Sequence, residues 1–158
     1  MTVILGIDPG LTGALAWLHH DGHLLGVVDM PVLGGEVNAA MLLMDDELRE
    51  GRVDQAILEW PGVMPHDGRA QCRSMGITLG TLSTVLTARH IPVHRVAPGT
   101  WKRALNLTSN KDQSRAMAMR QWPTMAHQFT RKKDDGRAEA ALLAWWWLTK
   151  KMTAIGAA

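Results

Sequence analysis

Tyrosine is missing from this 158-residue chain and phenylalanine occurs once, so ring packing falls to seven tryptophans, with ten methionines to fill irregular gaps. Cysteine is nearly missing as well. Cys72 alone cannot close an internal disulfide, which suits a reducing cytoplasm, and it leaves no thiolate cluster for zinc. Long apolar runs are also lacking. The first is residues 3–7, interrupted by Asp8, so neither a secretory signal nor a membrane span is expected. What remains, 46% hydrophobic and 20% charged residues, reads as one soluble globular domain over residues 1–158.

The net charge of +2 conceals an uneven distribution. Residues 36–59 are acidic, with Arg49 and Arg52 as their only bases. Residues 95–137 hold Arg95, Lys102, Arg103, Lys111, Arg115, Arg120, Arg131, Lys132, Lys133 and Arg137 against Asp112, Asp134 and Asp135. A segment this basic within a nearly neutral chain suggests a face for a polyanion, and it leads directly into a carboxylate cluster. A merely solvated surface is the plainer alternative.

The most informative stretch is V-I-L-G-I-D-P-G-L-T-G (3–13), a short apolar strand that ends in Asp8 and a glycine turn. Desolvating a carboxylate costs several kcal/mol unless a cation or donor meets it. A turn aspartate that caps Gly10 and Leu11 is the competing explanation. A second strand of the same form, A-I-L-E-W-P (56–61), ends in Glu59. Two carboxylates at the ends of two buried strands call for a metal.

Strands are predicted at 3–8, 14–18, 24–29, 55–59 and 92–96, with an Asp21-Gly22 hairpin tip between the second and third. Helices are predicted at 36–50 (Ala40, Leu43, Met44 and Leu48 near one face), 69–90, 100–105, 111–122 and 135–151. The order gives an α/β fold: a mixed five-stranded sheet, three strands antiparallel and two parallel, flanked by helices.

On the last helix, at 100° per residue, Asp135 and Glu139 lie about 40° apart, whereas Asp134 and Glu139 lie about 140° apart. Leu142, Leu143 and Trp146 continue the Asp135/Glu139 side, so that face points inward. Early helical acids also cap, and capping is compatible with metal binding. Asp8, Glu59, Asp135 and Glu139, with Asp134 beside them, are hard oxygen donors suited to Mg²⁺, with Mn²⁺ as a substitute. Two such ions about 4 Å apart activate a water and steady the leaving oxygen of a phosphodiester.

These motifs resemble the RuvC-type Holliday junction resolvases of the ribonuclease H-like superfamily, in particular their short phage and prophage members. The resemblance rests on G-I-D-P-G-L-T-G (6–13), L-E-W-P (58–61), S-M-G-I-T-L-G (74–80), I-P-V-H-R-V-A-P-G-T-W-K (91–102) and D-D-G-R-A-E-A-A-L-L-A (134–144), in the family's order along nearly the whole chain. It implies a ribonuclease H-like fold and a homodimer that resolves four-way DNA junctions by paired symmetric nicks with two Mg²⁺ ions per site. It further implies that Asp8 bridges both ions, Glu59 holds the one on the leaving-group side, and Asp135 and Glu139 complete the site. Lys102 and Lys111 fall where the family tends to place phosphate-contacting lysines, and Arg131, Lys132 and Lys133 extend the basic surface. In one respect the chain departs from the pattern. Bacterial members carry two ligand positions three residues apart on the last helix, whereas Asp135 and Glu139 are four apart, which leaves the choice among Asp134, Asp135 and Glu139 open. The helix around residues 74–83, with Gly76 and Gly80 one turn apart, is the implied dimer region; close packing on its own sheet is the alternative.

The other conspicuous residues carry less. Trp145, Trp146 and Trp147 span about 200° of helix, too wide for one core, so partial exposure is expected. His66 lies near Glu59 in sequence but reads as an ordinary loop histidine. His19, His20 and His23 suggest a metal cluster by count, and their place on a hairpin favours exposure. Residues 60–64 stand where resolvases drive a wedge into the junction. Competing classes are an actin-like ATP-binding fold, which needs a second domain and phosphate loop, and a junction-binding protein without turnover, which would leave buried carboxylates unpaired. Within nucleases the alternative is a broader fork and flap debranching enzyme of phage replication or packaging.

Overall fold

A computed structural model describes residues 2–45, 48, 52–65 and 67–156. Five strands form the main sheet: β1 (Val3–Asp8), β2 (Ala14–His19), β3 (Leu24–Asp29), β6 (Gln55–Glu59) and β7 (Val93–Val96), in the order β3-β2-β1-β6-β7. The pairs β1·β2 and β2·β3 are antiparallel, while β1·β6 and β6·β7 are parallel. A two-stranded ribbon, β4 (Val32–Leu33) and β5 (Glu36–Val37), stands apart. The helices are α1 (Ala39–Met44), α2 (Arg69–Ala88), α3 (Pro98–Ala104), α4 (Lys111–Gln121) and α5 (Asp135–Gly156).

Central strands covered on both faces must be apolar throughout, and β6 is buried along its whole length, as is β1 up to Asp8. Alternation sorts their side chains. Val3, Leu5, Ile7, Ala56 and Leu58 enter the core under α2, whereas Ile4 and Ile57 enter the core under α5. By the same two-residue period, Asp8 and Glu59 fall on the α5 face. Because Ile7 pairs with Leu58 in parallel register, both acids leave the sheet at the same edge.

A glycine brings α5 down onto that face. A Cβ on Gly6 would stand 2.1 Å from the Ala140 carbonyl oxygen, and Ala138, Ala140, Ala141 and Ala144 are fully buried beside it. The first turn of α5 is seated the same way, since a Cβ on Gly136 would lie 2.6 Å from Thr12 O. Gly136 occupies the position three before Glu139, so a side chain there would collide with the glycine turn after β1.

The strands match the sequence expectation to within a residue. The helix expected at 36–50 is corrected: residues 36–37 belong to the ribbon, which turns at Gly34 and Gly35 (φ +62° and +81°), and α1 starts only after Asn38, whose side chain accepts from Met41 N–H. The expected face of Ala40, Leu43, Met44 and Leu48 is corrected too: Leu42 is the buried residue of α1, while Ala40, Met41 and Met44 are exposed. Asp46, Glu47 and residues 49–50 of that expectation lie outside the described residues. Trp146 is buried in the core under α5 and Trp145 and Trp147 are partly exposed, as the width of the triplet required.

Candidate active site

The end of β1 delivers Asp8 into a turn built for it. Gly13 N–H donates to Gly10 O at 2.8 Å, and a Cβ on Gly13 would lie 2.1 Å from Asp8 O, so glycine alone fits. Gly10 N–H donates to the Asp8 carboxylate. The cap expected at Gly10 is present, and it is compatible with a functional carboxylate.

Asp8 and Glu59 both hold their protons more tightly than ordinary carboxyls do. Burial, then the negative charges of Glu59 and Glu139, push the Asp8 carboxyl up to about 7, against the pull of Gly10 N–H and Lys102. Burial likewise raises Glu59, opposed by Trp101 and Lys102 and reinforced by Glu139. Buried carboxyls with elevated proton affinity and like-charged neighbours are a common signature of a functional site.

Neutral donors fix the geometry of this cluster. The indole N–H of Trp101, a fully buried residue on α3, donates to Glu59 Oε1 at 2.9 Å. Ser114 Oγ, fully buried on α4, donates to Glu139 Oε1 at 3.3 Å. The other Glu139 oxygen takes Lys102 Nζ at 2.8 Å. Lys111 pairs with Asp135, and Asp135, Glu139 and Asp8 all add to its raised proton affinity, so these three acids share one cationic neighbour. Trp101 and Ser114 were not singled out from sequence. Their partners lie 42 and 25 residues away, and no local pattern reports such a contact.

The remaining sequence candidates are placed as follows. Asp134 is almost fully buried and turned to Arg131: it accepts from Arg131 N–H at 2.8 Å and from both Nε and Nη2 of the guanidinium, at distances between 2.8 and 3.2 Å. Burial works against that charge, yet Arg131 holds its carboxyl below the usual range. Arg131 is thus half-committed, while Lys132 and Lys133 are exposed on the short 3-10 turn that precedes α5. Val63 and Met64 are exposed beyond Glu59, and Arg95 lies over the Trp60 ring at 4.1 Å. His66 lies outside the described residues.

The donor set decides which cofactor fits. Asp8, Glu59, Asp135 and Glu139 all offer carboxylate oxygens, with Lys102 and Lys111 as their cationic neighbours. That is a hard-cation environment.

No protein-family model and no curated sequence matches the chain. Solved structures do. Thermus thermophilus RuvC in complex with a Holliday junction substrate superposes with a TM-score of 0.65 at 18% identity, covering 96% of this chain and 97% of that one. Another Thermus thermophilus RuvC structure gives 0.66 at 20% identity, with coverages of 94% and 96%. The fowlpox virus Holliday junction resolvase gives 0.57 at 13% identity, with coverages of 94% and 99%. The fold of this chain is the ribonuclease H-like fold of these resolvases.

Proposed function

We propose that this protein is a divalent-metal-dependent endonuclease that resolves four-way DNA junctions by paired symmetric nicks as a homodimer. The observation that carries the proposal is the convergence of Asp8, Glu59, Glu139 and Asp135 at one edge of a resolvase-type sheet, with Asp8 and Glu59 held above their ordinary proton affinity. The junction substrate is inferred from the fold neighbours, two of whose descriptions name it or its resolution.

In this reading Asp8, Glu59, Asp135 and Glu139 hold two Mg²⁺ ions. Bound there, such ions acidify a water and offset charge on a phosphodiester. The protein's own side chains do the rest. Trp101 keeps one Glu59 oxygen oriented, Ser114 does the same for Glu139, and the tight seating of α5 on Gly6 fixes the Glu139 carboxylate relative to the strand ends. Lys102 and Lys111 neutralise Glu139 and Asp135 in this structure, and both ammonium groups would be available to DNA phosphates with divalent ions held at the carboxylates. Lys132, Lys133 and the exposed part of Arg131 extend that phosphate-binding surface.

The dimer suits a substrate that needs two symmetric cuts. Along α2, Gly76 and Gly80 have no atom within 4 Å of an added Cβ, so this small-residue edge is not explained by packing on its own sheet. A second copy laid along that edge is the proposed arrangement.

The proposal is tested by incubating end-labelled four-way junction, fork, flap and linear duplex with the protein in Mg²⁺. Preferential, ligatable, symmetric nicks in the junction are expected. Equal cutting of forks and flaps would replace junction resolution with general debranching, and tight junction binding without cleavage in Mg²⁺ or Mn²⁺ would leave a binding protein.

A further inference from the structure

A second group of metal-capable side chains lies at the opposite end of the sheet. β2 runs antiparallel to β1, so His19 pairs with Val3 while Ala14 pairs with Asp8. The turn that follows, H-H-D-G-H, is held from several sides. His19 N–H donates to His23 O and Gly22 N–H to His19 O, which closes the hairpin. His20 N–H donates to Thr2 O at 2.9 Å, and the Trp122 indole N–H donates to Gly22 O at 2.9 Å.

Within this frame Asp21 is the hub. Its Oδ1 lies 2.8 Å from His19 Nδ1 and 3.0 Å from His23 Nδ1, and it also accepts from His23 backbone N–H at 2.9 Å. The His20 ring sits beside that of His19, with centroids 4.2 Å apart. One ligand atom from each of His19, His20 and Asp21 lies within 4.8 Å of the others.

The nitrogens converge on one side of the turn. The Nδ1 atoms of His19 and His23 both face Asp21 Oδ1, so an ion taking the place of the shared protons would meet two imidazoles and a carboxylate. Imidazoles with one carboxylate favour borderline ions such as Zn²⁺, in contrast to the all-oxygen cluster at Asp8.

We propose that the β2–β3 turn is a binding site for a borderline divalent transition metal, held by His19, His20 and Asp21 with His23 as a further imidazole. The site is independent of the carboxylate cluster. His19 and Asp21 are already fixed in place, so binding orders only the two exposed rings. A bound ion would fasten the hairpin to the chain start and to the end of α4 through the contacts at Thr2 and Trp122.

The test is calorimetric titration of ZnCl₂ into the full-length Asp8→Asn protein in excess Mg²⁺, repeated with His20→Gln and His23→Gln added singly. Saturable binding of one equivalent, insensitive to Mg²⁺, is expected. His20→Gln should weaken it at least about tenfold and His23→Gln by less. Substitution with Co²⁺ should give a visible ligand-field band that His20→Gln removes. His20 is exposed, so the metal-free melting temperature of that variant should match its parent, which separates a lost ligand from a lost fold. Absence of saturable binding, or equal affinity in all three proteins, would overturn the site.

Discussion

Burial and two neighbouring carboxylates hold Asp8 near 7, where an ordinary aspartate sits at 3.8, and this has a consequence for stability. Below about pH 4 both folded and unfolded chains carry the proton at this residue, and its contribution vanishes. Between about 4 and 7 the unfolded chain releases the proton while the folded one keeps it, so metal-free stability falls as pH rises, then levels off above 7. Replacing Asp8 by Asn, which still accepts from Gly10 N–H, removes that penalty. The variant should melt roughly 5 °C above wild type at pH 8 without metal, and the gap should close towards pH 4. Differential scanning calorimetry across pH checks this, and a gap that does not vary with pH would contradict the electrostatic cause. The same proton competes with metal, so cleavage at limiting Mg²⁺ should fall as pH drops below 7. At Trp101, replacement by Phe keeps most of the packing but deletes the N–H that holds Glu59. Loss of one buried hydrogen bond is worth about 1–3 kcal/mol, so kcat should fall about tenfold or more while junction affinity stays nearly constant. An unchanged kcat would show that Glu59 needs no such support.

The elements divide clearly into those that sequence reveals and those that only contacts reveal. β1, β2 and β6 are legible because strands covered on both faces read as unbroken apolar runs, and the acids that end β1 and β6 stand out against them. The shared face of Asp135 and Glu139 is legible from helical period alone, and the structure gathers both at the cationic position that Lys111 occupies. Residues 32–38 are not legible in that way. Gly34 and Gly35 drive a two-residue ribbon whose Glu36 and Val37 look like the start of a helix until the positive φ angles and the Asn38 cap are seen. Trp101 and Ser114 were missed because each serves a carboxylate from a different element. One prediction belongs at this scale. Gly6→Ala would push α5 away from β1 and should lower stability by about 1–3 kcal/mol, or roughly 3–10 °C in melting temperature, with activity falling alongside. A melting curve and a cleavage assay on the same preparation check it, and a full-activity variant with unchanged melting would show that the close packing does not position Glu139.

Along the whole chain, charge of the two signs is segregated. Acids concentrate in residues 36–54, whereas Lys102, Lys111, Lys132 and Lys133 fall on α3, α4 and the turn before α5. If DNA lies over that basic surface, junction affinity must fall steeply with salt. Lys111→Ala should weaken binding for all junction sequences alike and reduce the salt slope by about one phosphate contact. Fluorescence anisotropy across a salt series measures it, and an unchanged slope would place Lys111 off the DNA. The measurement that bears most directly on the central claim is strand-resolved cleavage of a four-way junction by wild-type and Asp8→Asn protein in Mg²⁺ and in EDTA. The wild type should nick opposing strands symmetrically in Mg²⁺ alone, and the variant should bind the junction but cut it at least about a hundredfold more slowly. Cleavage that survives EDTA, or an Asp8→Asn protein that cuts at the wild-type rate, would contradict the assignment of this cluster as the metal-dependent active site.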